Sequence, residues 1–328
     1  MQTPLTIAMY HYVRPLRGSK YPGIKGLEVD LFERQIRYFK RLYSLVSVED
    51  VLDSLEGKAT LPKNAMLLTF DDGYIDHYEH AFPILAKYGI RGAFYPPAQS
   101  VTEHRLLAPN KVHFILAASN DQDALVKRLF ELLDEHREQF GLKPNEWYFA
   151  KLAKPNRFDT AEVIFIKRLL QVELPPEVRG LIADILFEEI VGVDEETFAR
   201  ALYMNEDQLR EMLAAGQHIG VHGYRHDWLG SLTPEEQALE IDRSLKFLLG
   251  LGVPEETWTI CYPYGDYNDS LLGILAERGC RLGMTSHFRI ADLAQDHPLT
   301  LPRLDTNDFP READAAPNAL YEQLQINE

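Results

Sequence analysis

Short apolar runs that stop at turn signals alternate along this chain with stretches of helical periodicity. Ala65-Met66-Leu67-Leu68-Thr69-Phe70 has the near-continuous apolar character of a strand buried on both faces, and it halts at Asp71-Asp72-Gly73. A helix is expected from about Asp76 to Tyr88, with Gly89 as its stop, although Pro83 argues against an unbroken run. Arg91 to Tyr95 reads as the next strand, ended by Pro96-Pro97. His218 to His222 begins a second alternation. Its helix opens at Thr233-Pro234-Glu235-Glu236, a capping box with proline at the first helical position, and is expected to stop at Gly250. A third runs from Thr259-Ile260-Cys261-Tyr262 through a helix capped by Asn268 to a strand over Leu282 to Ser286.

Repeated strand–helix units predict an α/β fold, a parallel sheet or barrel with right-handed crossovers. In such folds the loops after the C-terminal ends of the strands carry the chemistry. Between about Thr102 and Arg200 the strand pattern disappears, and Ala124–His136, Thr160–Leu170 and Glu177–Glu189 read as charged amphipathic helices. The expectation is one domain over 1–328, with a helical insertion or cap over 102–200 and a loosely held tail over 310–328.

Composition narrows the function. With 34 basic against 50 acidic residues, a net of -16, the chain repels a phosphate backbone, so no nucleic-acid partner is expected. Two cysteines, Cys261 and Cys280, make no disulfide framework and fit a reducing compartment. The N-terminal stretch to Tyr10 lacks a basic region and a long apolar core, so it reads as a strand rather than a signal peptide. No membrane span is expected either, and the location inferred is cytoplasmic.

The polar residues at the strand ends supply candidate chemistry. Asp71 and Asp72 are adjacent carboxylates where a buried strand runs out; taken alone, Asp-Asp-Gly is equally a turn with a helix cap. His222-Gly223-Tyr224-Arg225-His226 offers two imidazoles spaced to converge on one ion. One carboxylate and two imidazoles, with a spare carboxylate beside them, match a hydrolytic metal centre, which needs open positions for water.

In these residues the chain resembles the NodB-homology polysaccharide deacetylases, carbohydrate esterase family 4. Thr69-Phe70-Asp71-Asp72-Gly73 matches the family's first motif in full. His222 and His226 match both histidines of the second, with Gly223 in place of its Ser or Thr. Tyr262-Pro263-Tyr264-Gly265 matches the tail of the third. The resemblance covers roughly Ala65–Gln99 and Gly216–Asp308 with the N-terminal strand.

It implies a distorted (β/α)7 barrel, Asp72, His222 and His226 as ligands of a divalent metal, and Asp71 as catalytic base. The metal would be zinc by default, with cobalt, nickel or iron as alternatives. The Tyr264 backbone N–H is implied in the oxyanion hole. The family's third motif usually opens with an Arg that steers the base, and Cys261 stands near that place. Arg303 resembles a late Arg of members with the same Tyr-Pro-Tyr-Gly variant; steering Asp71 and a plain surface position are both open for it.

No clean copy of the family's late His follows Pro263. Met9-Tyr10-His11 instead resembles the opening strand of a permuted branch, which makes His11 the candidate general acid, against a core histidine, with His287 as a weaker alternative. Trp228, just after the second motif, is a candidate to line a carbohydrate cleft. The substrate implied is an N-acetylated sugar, read as an intracellular intermediate of surface polysaccharide synthesis. Deformylation or ester hydrolysis would use the same machinery, and a non-catalytic sugar-binding or scaffold protein is the rival from another class.

Overall fold

The computed structural model describes residues 3–156 and 159–326. They form two compact units, residues 1–15, 26–105 and 199–328 in the first and 16–25 with 106–198 in the second.

Among the described residues, nine strands lie in the first unit: β1 Pro4–Tyr10, β2 Ser44–Leu45, β3 Ala65–Asp71, β4 Ala93–Tyr95, β5 His218–Ile219, β6 Thr259–Cys261, β7 Leu282–Met284, β8 Ala291–Asp292 and β9 Leu304–Asp305. The parallel pairings run β9–β1–β3–β4–β5, with Met9 opposite both Thr69 and Asp305, and Phe94 opposite Phe70 and Ile219. β6 and β7 pair separately in parallel. Parallel bridges at Val221–Ile260 and Met284–Leu301 join that pair to β5 on one side and to the approach to β9 on the other. The circuit of seven strands thereby returns to its start, as a ring closed at two points by single bridges. β2 adds to β3, and β8 runs antiparallel to the start of β1.

Strand alternation sorts the side chains into two hydrophobic clusters. Ala8, Tyr10, Met66, Leu68, Phe70, Phe94, Ile219, Val221 and Ile260 face the surrounding helices, where they meet Phe32, Ile36, Leu85, Leu209, Ile241 and Leu275. Leu5, Ile7, Leu67, Ala93, Tyr95, Cys261, Leu282, Met284 and Leu301 point the other way, into the ring. Helix Val48–Leu55, held by a Ser47–Asp50 capping box, adds Val48, Val51 and Leu52 to this inner cluster. Space inside is tight: a Cβ on Gly220 would lie 2.3 Å from the Tyr95 ring, so only glycine lets that ring fill the interior. The same parity that sends Leu67 inward sends Thr69 and Asp71 inward, at the C-terminal end of β3.

Three local expectations change. The helix expected over Asp76–Tyr88 is divided into a π-helical turn, His77–Ala81, and an α-helix, Phe82–Lys87, because Pro83 fits only in a first helical turn. Helix Pro234–Leu251 runs past Gly250 and stops at Gly252, which takes the left-handed conformation (φ 95°). In place of the loose tail, Ala319–Ile326 is a helix with Leu324 buried, and the Tyr321 ring meets Tyr43 at 5.3 Å; residues 327 and 328 lie outside the described residues.

The second unit is built from helices, including Ala108–Ala118, Gln122–Phe140, Asn145–Leu152, Ala161–Arg168 and Pro176–Val191. Residues 16–25 belong to it as well. Tyr21 packs edge-on to Phe114 at 5.1 Å, a contact between segments far apart in sequence. Among the described residues no helix is long and apolar enough to cross a membrane.

Candidate active site and metal centre

β3, the loop after β5, the loop after β6 and the segment before β9 bring their polar ends together. Asp72, His222 and His226 are all buried, and one ligand atom from each lies within 4.8 Å of the others. Oδ1 of Asp72 is 3.4 Å from Nε2 of His222 and 3.4 Å from Nε2 of His226. Oδ2 accepts a 2.6 Å hydrogen bond from the Tyr74 hydroxyl, whereas Oδ1 is buried and accepts none. The Nδ1 of His222 lies 2.7 Å from the Cys261 carbonyl, to which only an N–H can donate, so in the neutral imidazole that a metal would take, Nε2 carries the lone pair toward Asp72.

A buried carboxylate oxygen without a donor, facing two imidazole nitrogens, is a costly arrangement by itself and a fitting one for a divalent cation. The charges agree. Burial works against ionising Asp72, yet the two imidazoles hold its carboxyl well below the usual range. Burial likewise disfavours charge on His222, but Asp71 and Asp72 outweigh it and draw a positive charge to the cluster. Burial keeps His226 below its ordinary value, in the neutral form a metal requires. The residues present therefore fit the implied metal.

Asp71 ligates nothing in this cluster. It is buried and gripped by Arg303, Nη1 to Oδ1 at 2.9 Å and Nη2 to Oδ2 at 2.8 Å. Burial pushes this carboxyl up, but Arg303, followed by His222 and His11, more than offsets it and holds it down to about 2. Arg303 is itself buried, and it also donates to the Thr285 carbonyl at 2.9 Å, Thr69 Oγ1 at 3.1 Å and Cys261 Sγ at 3.1 Å. It is therefore no surface arginine. Burial raises the Cys261 thiol well above its ordinary value, so Cys261 stays a neutral thiol at neutral pH rather than a nucleophile.

His11 follows β1, partly buried, within electrostatic reach of both Asp71 and Asp72. Two contacts hold its segment. His77 Nε2 lies 2.8 Å from the His11 carbonyl, and Arg14 pairs with Asp76 through both oxygens at 2.6 Å. His287 is exposed and turned toward Tyr267, with ring centroids 6.3 Å apart; its backbone carbonyl accepts the Arg303 N–H at 3.1 Å.

Among the described residues, five non-glycine positions have positive φ, and three of them, Asp72 (72°), His226 (63°) and Tyr264 (60°), belong to this site. Such strain persists only where the surroundings enforce it, and it clusters at functional sites. Gly223 shares the conformation (φ 71°), and a Cβ there would meet only ordinary contacts. Backbone conformation, not space, thus explains glycine where the resembled motif has Ser or Thr.

Sequence reading missed Glu240, which lies on helix Pro234–Leu251 and is buried. Its Oε2 accepts the backbone N–H groups of Tyr224 and Arg225, each at 3.0 Å, and Oε1 accepts Arg225 Nε at 2.9 Å. The loop between the two histidines is therefore pinned from outside itself. A carboxylate one position before the core-facing Ile241 was the available signal.

Comparison with known proteins places the chain in a family and a fold. A family model described as polysaccharide deacetylase matches residues 58–132 and 192–283. A Bacillus subtilis (strain 168) protein named "Putative polysaccharide deacetylase YxkH" is 32% identical over 84 residues, 26% of this chain and 30% of that protein, so the match spans under a third of the relative's length. Among solved structures, the Streptococcus pyogenes deacetylase PplD in complex with acetate has TM-score 0.58 at 19% identity, covering 99% of this chain and 98% of that one. IcaB from Ammonifex degensii has TM-score 0.55 at 19% identity, covering 93% and 92%. At such identities the structural likeness speaks for the fold. His11 and Arg303 both lie outside the residues that the family model matches.

Proposed function

The chain belongs to the polysaccharide deacetylase family, and from that premise we propose that it is a metal-dependent hydrolase that removes the acetyl group from an N-acetylated sugar. The observation that carries this is the buried, donor-less Oδ1 of Asp72 facing two imidazoles, with a second, non-ligating carboxylate held ionised beside it.

Asp72, His222 and His226 would hold the ion, zinc by default for two imidazoles and one carboxylate, with cobalt, nickel or iron as alternatives. Such an ion supplies Lewis acidity, lowering the pKa of water from about 15.7 toward about 7 and polarising the amide carbonyl. The chain's own groups do the rest. Arg303 aims Asp71 and keeps it ionised, and Asp71 takes the proton of the attacking water. The N–H of Tyr264 donates to the oxyanion as the carbonyl becomes tetrahedral. His11, anchored through His77 and Arg14, donates a proton to the departing amine, which is too basic to leave as an anion.

Acetate release from N-acetylglucosamine oligosaccharides, measured beside the metal content of the same preparation, tests the proposal. Turnover that follows metal occupancy supports it; stoichiometric metal with no acetate from any N-acetylated sugar would favour the sugar-binding scaffold. Against that scaffold stands Asp71, since a binding module has no use for a carboxylate kept ionised next to a metal without ligating it. Assaying N-formyl sugars and acetyl esters beside the acetamides separates deformylase or esterase action from N-deacetylation.

A further inference from the structure

Residues 74–77, just after the candidate ligand Asp72, grip the segment that carries His11. Tyr74 is fully buried, and its ring lies flat on Tyr12, with centroids 4.0 Å apart and planes inclined by 19°. Asp76 pairs with Arg14 through both oxygens at 2.6 Å, and His77 Nε2 lies 2.8 Å from the His11 carbonyl. The Tyr203 ring runs nearly parallel to that of Tyr74, with centroids 6.0 Å apart and planes at 13°. Backbone contacts hold this neighbour in place: Tyr74 and Tyr203 form an antiparallel bridge, and the Met204 N–H donates to the Gly73 carbonyl at 2.9 Å. The Tyr74 ring therefore cannot turn away without breaking contacts to two other segments.

This fixed ring presents one hydroxyl to the site. It donates to Asp72 Oδ2 at 2.6 Å, a short charge-assisted bond. Oδ1 is buried without a donor and lies 3.4 Å from Nε2 of both His222 and His226. The two oxygens of one carboxylate thus have different surroundings. A carboxylate can give a cation one oxygen or both, and the number matters. Zinc takes few ligands and in hydrolytic sites must keep a position for water, whereas harder ions such as manganese suit additional carboxylate oxygens. The left-handed backbone of Asp72 (φ 72°) aims its Cβ, but the terminal torsion of an aspartate is broad and roughly two-fold. Backbone conformation alone does not choose between Oδ1 and Oδ2.

We propose that Tyr74 is a positioning residue that holds Oδ2 of Asp72 back from the metal, so that the ion receives one carboxylate oxygen, Oδ1, and a place for the attacking water is kept. This rests on the metal-dependent reading above and adds to it what selects the ligating oxygen and, with it, the preference for zinc.

Tyr74→Phe tests it, since it removes the hydroxyl and keeps the ring beside Tyr12 and Tyr203. In a variant with native circular dichroism, zinc affinity by competitive chelator titration should fall about 10–100-fold. Manganese affinity should fall less or rise, so that the ratio of zinc to manganese affinity drops at least about tenfold. The cobalt-loaded variant should absorb more weakly in the visible range than cobalt-loaded wild type, because a further oxygen on the ion raises its coordination number. Loss of a merely structural contact would lower both affinities together and leave the cobalt spectrum in place. An unchanged ratio, or an unchanged cobalt spectrum, in the folded variant therefore overturns the proposal and leaves the deacetylase reading standing. A zinc-loaded crystal structure of the wild type decides the question without any variant. Tyr74 on Oδ2 with only Oδ1 on zinc supports the proposal; both oxygens, or Oδ2 alone, on zinc overturn it. Wild-type protein that binds no zinc overturns the metal-dependent reading, and the role of Tyr74 with it.

Discussion

Arg303 holds both oxygens of Asp71, at 2.9 and 2.8 Å, across 232 positions of sequence, and both side chains are buried. Breaking such a pair leaves an uncompensated buried charge. Arg303→Met should therefore cost about 3–5 kcal/mol of stability, measured by denaturant unfolding. Asp71 would also lose the charge that keeps its pKa low, so the acid limb of kcat/KM should move to higher pH. Arg303→Lys, which keeps the charge but not the two-pronged geometry, should move that limb less. An unmoved limb in Arg303→Met would show that another group sets the ionisation of Asp71.

Asp71→Asn should leave the metal ligands intact and remove the base. Zinc content should match wild type while kcat falls by about two or more orders of magnitude. If the variant keeps most of its activity, the proton goes elsewhere.

Metal dependence gives a third expectation. Zinc should bind at one equivalent per chain, by elemental analysis, and a chelator should abolish acetate release, which added metal restores. His226→Ala should lose the metal. Full occupancy in that variant would place the ion outside the Asp72–His222–His226 cluster.

Glu240 offers a test away from the ligands themselves. Glu240→Gln exchanges one acceptor oxygen for a donor, so the N–H groups of Tyr224 and Arg225 and the Arg225 side chain cannot all be satisfied. Zinc affinity should fall about 10–100-fold, the usual effect of losing support behind the ligands, while circular dichroism stays native. Unchanged affinity by competitive chelator titration would mean that the loop holds its shape without Glu240.

For His11, the expected signature is selective. His11→Ala should impair amide hydrolysis far more than hydrolysis of an activated acetyl ester, whose leaving group needs little protonation. Equal losses on both substrates would assign His11 a binding or structural part, and the same comparison on His287→Ala would then locate the acid.

Much of this protein was legible in contiguous residues. Strand and helix follow from apolar runs, capping residues and turn signals, and the Ser47, Thr233 and Asn268 caps form where such residues stand. The cluster of Asp72, His222 and His226 was also readable, because each motif sits where one strand ends and parallel strands end on the same side. Tertiary structure alone decided what depends on register and on residues far apart. Arg303 faces Asp71 because it shares the inward parity of Leu301, whereas Leu304 faces the helices; a slip of one residue would have turned it outward. The helix at Ala319–Ile326, the Glu240 clasp on the histidine loop and the Trp228–Tyr264 stack share that cause. Each joins elements whose approach is set by packing of the whole ring, which no local pattern of side chains encodes.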